Sequence, residues 1–170
     1  LIGIGIIAGI ALSEFERITE RYPGDNSYSD LGWAQLAAGD IEAARKSANL
    51  DRNNIYPDCV ELRAVIERRL GNNEAAEETL NQYAARMSSD AKPQTLLARF
   101  FRKTGDYERA IAAAQRAAAL SRSDTRYEAT LELAFAYLQK GDLELAEAEV
   151  KKLLIYSPVN LYFDLLMAQI

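Results

Sequence analysis

Histidine is absent from this sequence, which removes at once the usual general base, the Ser-His-Asp arrangement and the commonest metal ligand. A single cysteine, Cys59, excludes an internal disulfide and a cysteine-based zinc cluster. Its place in the run Cys59-Val60-Glu61-Leu62 reads as a small buried hydrophobe rather than a reactive thiol. Positive charge is in deficit, with 20 Lys and Arg against 25 Asp and Glu for a net charge of −5. A duplex-binding surface needs a dominant positive face to release phosphate counterions, so nucleic acid is not an expected partner. The glycines of Gly3-Ile4-Gly5-Ile6-Ile7-Ala8-Gly9 lack the spacing, the preceding strand and the acidic partner of a dinucleotide loop. Acidic pairs such as Glu77/Glu78 and Glu147/Glu149 have basic residues at helical spacing and read as solvated faces. No catalytic residue, cofactor or metal is therefore expected here, and any enzyme activity would have to reside outside this stretch.

What the chain does contain is a period. Four times a small residue is followed twelve positions later by alanine, as Gly32/Ala44, Ala64/Ala76, Ala98/Ala110 and Ala134/Ala146. A turn lies between each pair, reading Gly39-Asp40, Gly71-Asn72, Gly105-Asp106 and Gly141-Asp142, and these turns recur at 32, 34 and 36 residues. Around them apolar residues follow three- and four-residue steps, as Leu96, Leu97, Phe100 and Phe101 before Gly105 and Tyr107, Ala110, Ile111, Ala114, Ala117, Ala118 and Leu120 after it. That spacing predicts two amphipathic helices joined at glycine, with Asp or Asn placed to cap the second. Small residues at matched depth let the two backbones approach closely. A period in this range marks stacked units, none of which can bury its apolar face alone.

The pattern resembles the tetratricopeptide repeat (TPR) family, with repeats near 25–56, 57–90, 91–126 and 127–160 and a partial fifth unit at 161–170. The family's small residues fall on the four pairs above, its first-helix aromatic on Phe101 and Tyr137, and its repeat-ending proline on Pro23 and Pro158. Gln35 and Glu67 stand where that aromatic is usual, and the second helix of the first unit, Ile41 to Leu50, is about one turn short; both departures predict looser packing. The resemblance implies an all-α fold, a right-handed superhelical solenoid of antiparallel helix-turn-helix repeats. It also implies a protein-interaction function, with ligands held on the concave side formed by the first helices.

Both ends carry further expectations. Residues 1–12 have no polar side chain and lead into a helical segment ending near residue 24. One reading makes them the end of a membrane helix, the Gly5/Gly9 spacing suiting close packing in lipid; the other makes them a buried helix of an upstream repeat. A membrane-tethered protein of a bacterial assembly or export complex is the favoured setting. Leu161, Phe163, Leu165, Leu166 and Ile170 do not form a polar cap, so 170 residues are expected to be a window on a longer chain or to end in a docking surface at Phe163, Leu166 and Ile170.

On the concave side, helical projection places Ser29, Trp33 and Leu36, then Asp58, Glu61, Val65, Arg68 and Arg69, then Lys92, Thr95, Arg99, Arg102 and Lys103, then Glu128, Leu131, Phe135 and Leu138. Arg68, Arg69, Arg99, Arg102 and Lys103 would receive an acidic protein segment or chain terminus, with Trp33 and Phe135 as apolar anchors. The competing reading has these arginines complement helix ends and Trp33 serve packing. Tyr22, Tyr28, Tyr56, Tyr83 and Tyr156 read as wedges between units. The family's carboxylate clamp for chaperone tails is disfavoured, because Ser29, Trp33, Glu61 and Val65 stand where its lysines and asparagines would be sought.

Overall fold

The computed structural model of the chain describes residues 2–21, 26–51, 56–122 and 126–154. All regular structure among them is α-helical: α1 (Ile2–Arg21), α2 (Asn26–Ala37), α3 (Ile41–Ala48), α4 (Pro57–Arg69), α5 (Asn73–Arg86), α6 (Ala91–Thr104), α7 (Tyr107–Leu120), α8 (Arg126–Lys140) and α9 (Leu143–Leu154). They fall into two compact units, Leu1–Tyr83 and Ala84–Ile170. Pro23, Pro158, Tyr22, Tyr156 and the expected docking end at Phe163, Leu166 and Ile170 lie outside the described residues.

The four glycine turns share one backbone solution. Gly39, Gly71, Gly105 and Gly141 all have φ between 84° and 95°, the left-handed region costly for other residues. At Gly105 the glycine N–H donates to the Arg102 carbonyl at 3.3 Å and the Asp106 N–H reaches back to the Phe101 carbonyl at 2.9 Å. This reciprocal pair is a Schellman close, which satisfies carbonyls that the helix end would otherwise strand. The same two bonds recur at the other turns, with Asp40, Asn72 and Asp142 donating to Gln35, Glu67 and Tyr137, each at 2.9 Å. Asp40 and Asp106 then cap the next helix as predicted, accepting from the Ala43 and Arg109 N–H groups. Asn72 instead turns its amide back onto Glu67 at 3.0 Å, and Asp142 pairs with Lys140 at 3.1 Å.

In the first unit α2 packs against α1, α3 and α4. Leu36, Ala44, Ala48, Leu62 and Ile66 form the interior, with Trp33, Ile41 and Val65 leaning on it. Gly32 is needed for its size: an added Cβ would stand 2.3 Å from Leu62 Cδ2 and 3.4 Å from the Ala44 carbonyl. In the second unit α6 packs on α7, α8 on α9, and α8 also rests on both α6 and α7. Ala98, Ala110, Ala134 and Ala146 are fully buried there, so the predicted close crossings are present. Leu120 departs from the predicted apolar face and is 40% exposed, because it is the final residue of α7, one turn beyond the last fully buried alanine, Ala117.

The predicted looseness at Gln35 and Glu67 is replaced by polar locks. Ser47 Oγ donates to Gln35 Oε1 at 2.7 Å inside the α2/α3 hairpin, and both groups are buried. Glu67 accepts from Arg45 of α3 at 3.2 Å as well as from Asn72. The predicted short helix is real, since α3 has eight residues. Its end is tied off from α4, where Arg63 donates to the Ala48 carbonyl at 2.5 Å, while buried Asp51 accepts from the Tyr56 N–H at 3.1 Å. A cation at the carbonyl end of a helix complements its dipole.

At the amino end, α1 runs without a break from the apolar 2–12 stretch through Glu14, Arg17 and Arg21. No helix among the described residues is long and apolar enough to cross a membrane.

Candidate functional site

The basic residues singled out on the first helices have different surroundings in the two units. In the first, Arg69 donates to the Leu36 carbonyl at 3.3 Å, where it caps the last turn of α2. Arg68 is partly exposed and pairs with no described residue. Trp33 packs on the Leu36–Leu62 interior, which gives it a structural role whatever else it does. Ser29 and Leu36, projected onto the concave side, are each only 2% exposed and belong to the interior.

In the second unit the projected residues converge on a carboxylate that the projection missed. Glu132 of α8 is 4% exposed and accepts from Arg99 Nε at 2.6 Å through one oxygen and from Arg102 Nε at 2.9 Å through the other. Arg102 is itself buried, and its guanidinium carbon lies 5.1 Å from the centre of the Phe135 ring. That is the geometry of a cation over an aromatic face. Lys92 and Glu128 continue the same seam at 2.9 Å. Thr95 is buried and spends its hydroxyl on the Ala91 carbonyl, so it is not a surface group. Lys103 is exposed at the end of α6.

The period could have found Glu132. Lys92 and Glu128 are 36 residues apart, matching the spacing of the two neighbouring turns, so one repeat's first helix meets the next at that offset. Glu132 lies one turn beyond Glu128 and 33 residues from Arg99, on the same seam. Charge on adjacent first helices is therefore paired across the hairpins rather than left for a ligand alone. Arg99 retains about a third of its side-chain exposure, whereas Arg102 retains 8%.

Cys59 is fully buried, and its thiol is pushed up to about 11, chiefly by burial and secondly by nearby Asp51. A protonated thiol is neither nucleophile nor metal ligand. The acidic pairs take helical-spacing partners as expected, Glu147 meeting Lys151 and Glu149 meeting Lys152, each at 2.6 Å, and Glu78 accepting from Gln82, but Glu149 is not solvated: its side chain is 14% exposed. No group of His, Cys, Asp and Glu that could hold a metal occurs among the described residues.

Stacked helical hairpins closed by left-handed glycines, with small residues at each crossing and charge paired between successive first helices, define a helical-repeat solenoid, a class built for binding proteins. The chain belongs to the tetratricopeptide repeat family, whose models match residues 27–46, 61–125 and 101–170. Its fold is similar to that of a thermophilic TPR protein of Thermus thermophilus, at 23% identity and a TM-score of 0.77 over 98% of this chain and 95% of the other. It is also similar to a chain of the APC/C hetero-tetramer Cut9-Hcn1, at 17% identity and a TM-score of 0.64 over 92% of this chain and 31% of that one. MamA matches at 17% identity and a TM-score of 0.55 over 84% of both chains. At these identities the likeness is one of fold. No curated protein matches the sequence.

Proposed function

We propose that this chain is a non-enzymatic interaction scaffold whose second unit holds a protein or peptide partner against the face shared by α6 and α8. TPR proteins in general bind proteins or peptides, and the finer reading rests on the Arg99–Glu132–Arg102 cluster beside Phe135. A guanidinium already fixed by a carboxylate and an aromatic ring has less conformational freedom to lose when a partner arrives. Lys103 then offers the exposed positive charge and Arg99 the open third of its side chain, Phe135 and Leu131 the apolar contact, and an acidic segment is the chemistry they fit. In the first unit Arg68 is the projected cation with most freedom to contribute, since Arg69 is engaged at the end of α2.

A photo-crosslinker placed at Phe135 should trap the partner, and the double reversal Arg99→Glu/Lys103→Glu should abolish its binding. Crosslinks that form at Phe163 and Leu166 instead would move the interface to the carboxyl end and sink this reading. Tethering to a bacterial assembly or export complex through residues 1–12 is the outermost part of the proposal, supported by that polar-free run. Recovery of the protein in the detergent-free fraction would remove it.

A further inference from the structure

The opposite side of α8 carries a second feature. A cleft of about 460 Å³ opens in the second unit where α7 and α9 flank α8. Its α8 wall is Arg126, Thr130, Leu133 and Tyr137, at steps of four, three and four, whereas the cluster described above uses Glu128, Glu132 and Phe135. The two surfaces therefore lie on different faces of one helix. Ala118 and Ala119 of α7 form the other apolar wall, small enough to leave the space open.

The polar groups of the cleft are unbalanced. Gln115 and Tyr137 meet at 3.4 Å from opposite walls, so an amide N–H of Gln115 and the Tyr137 hydroxyl stand together at the rim. Arg126 is exposed and pairs with no described residue. Lys152 pairs with Glu149 at 2.6 Å, which engages that carboxylate, and the Thr130 hydroxyl is spent on the Arg126 carbonyl. Donors thus outnumber free acceptors, and the lining carries one net positive charge in a chain of net −5. An acceptor-rich, negatively charged occupant complements it. Phosphate polymers are a poorer fit, because one of the two cations is already neutralised and the walls are otherwise alanine and leucine.

We propose that this cleft is a second docking site that takes a short acidic-aliphatic peptide segment, its carboxylate on Arg126 and the Gln115/Tyr137 pair and an aliphatic side chain against Ala118, Ala119 and Leu133. Clefts of ~300–1,000 Å³ accommodate a few side chains. The scaffold could then hold two partners, or two segments of one, on separate faces.

Titration of the 15N-labelled 170-residue chain with an alternating Glu/Leu hexapeptide tests it. Saturable shifts are expected at Gln115, Ala118, Ala119 and Tyr137, with none from the Lys/Leu counterpart. Arg126→Glu should weaken binding about tenfold, the loss of one charge-assisted contact, and Ala119→Trp, which fills the space from an exposed position, should abolish it. Lys103→Glu, at an exposed residue near the end of α6 outside the cleft lining, should leave the cleft shifts unchanged. Shifts confined to Arg99, Lys103 and Phe135 would overturn the second site while supporting the α6/α8 face. Absence of any shift, or equal binding of hexathymidylate, would overturn it as well.

Discussion

The first unit closes its hairpins with polar side chains, and the second closes them with aromatic ones. At the position whose carbonyl receives the Schellman bond, the first unit has Gln35 and Glu67, held by Ser47 and by Arg45 with Asn72. The second has Phe101, which lies under the Arg109 guanidinium at 3.9 Å, and Tyr137, which meets Gln115. Since the backbone bonds are the same in all four, the turn does not depend on what that side chain is. The side chain decides only how the neighbouring helix is gripped, by directional hydrogen bonds in one unit and by ring area in the other. The units also differ in where charge is buried. The deepest paired carboxylate of the second among the described residues, Glu132, joins successive first helices, whereas buried Asp51 of the first accepts from the Tyr56 N–H beside Arg63.

The largest effect that would break this comparison is at Glu132. Glu132→Ala leaves the buried Arg102 guanidinium without its carboxylate and should cost about 3–5 kcal/mol. Glu67→Ala, whose partner Arg45 is a third exposed, should cost about 1 kcal/mol or less. Urea unfolding followed by circular dichroism measures both, and Trp33 emission reports the first unit separately. Equal costs would show that the polar locks bear as much as the buried pair.

Overpacking should come next. Ala110→Leu at a fully buried crossing should cost about 1–3 kcal/mol. Gly32→Ala should cost less, because the clash with Leu62 is offset by about 1 kcal/mol of helix propensity. Shortening Leu62 to Val in the same protein should relieve part of that clash, which a double-mutant cycle would read as a favourable coupling. A smaller effect is expected at the Gln35–Ser47 bond. Ser47→Ala should cost about 1 kcal/mol through the stranded Gln35 oxygen, and Gln35→Leu/Ser47→Ala together should cost less than the sum of the two single changes.

The last effect vanishes at neutral pH and is confined to alkaline solution. Cys59 rises from 9.0 to about 11 on folding, so the unfolded chain releases this proton first. Stability from the neutral thiol is complete below about pH 9 and declines as pH rises towards 11. Cys59→Ala should flatten that part of the pH profile relative to the parent protein, and iodoacetamide should modify the native thiol slowly at neutral pH.

The hairpins were legible because their determinants are local. Four glycines at fixed offsets from small residues require a left-handed turn and a close crossing, whatever the rest of the chain does. Cys59 was legible from its apolar neighbours. The site was less so, because projection onto a single helix cannot tell a surface residue from one covered by the next hairpin. Thr95 and Arg102 share a projected face with Arg99, yet the packing of α6 on α8 buries the first two and leaves Arg99 partly open. The polar locks were unreadable for a related reason: Gln35 looks like a lost aromatic until its partner, twelve residues away, is known to be Ser47.

The glycines fall into two kinds with opposite prospects under mutation. At the turn positions an added Cβ would meet nothing within 4 Å, so only the dihedral angle opposes change, and asparagine, which tolerates that region, offers each site an independent route of drift. At Gly32 the dihedral permits any residue and the space forbids it, and the obstacle belongs to Leu62. Descendants of this sequence should therefore vary Gly39, Gly71, Gly105 and Gly141 one at a time, while Gly32 and Leu62 should change only as a pair, an epistatic link spanning two helices.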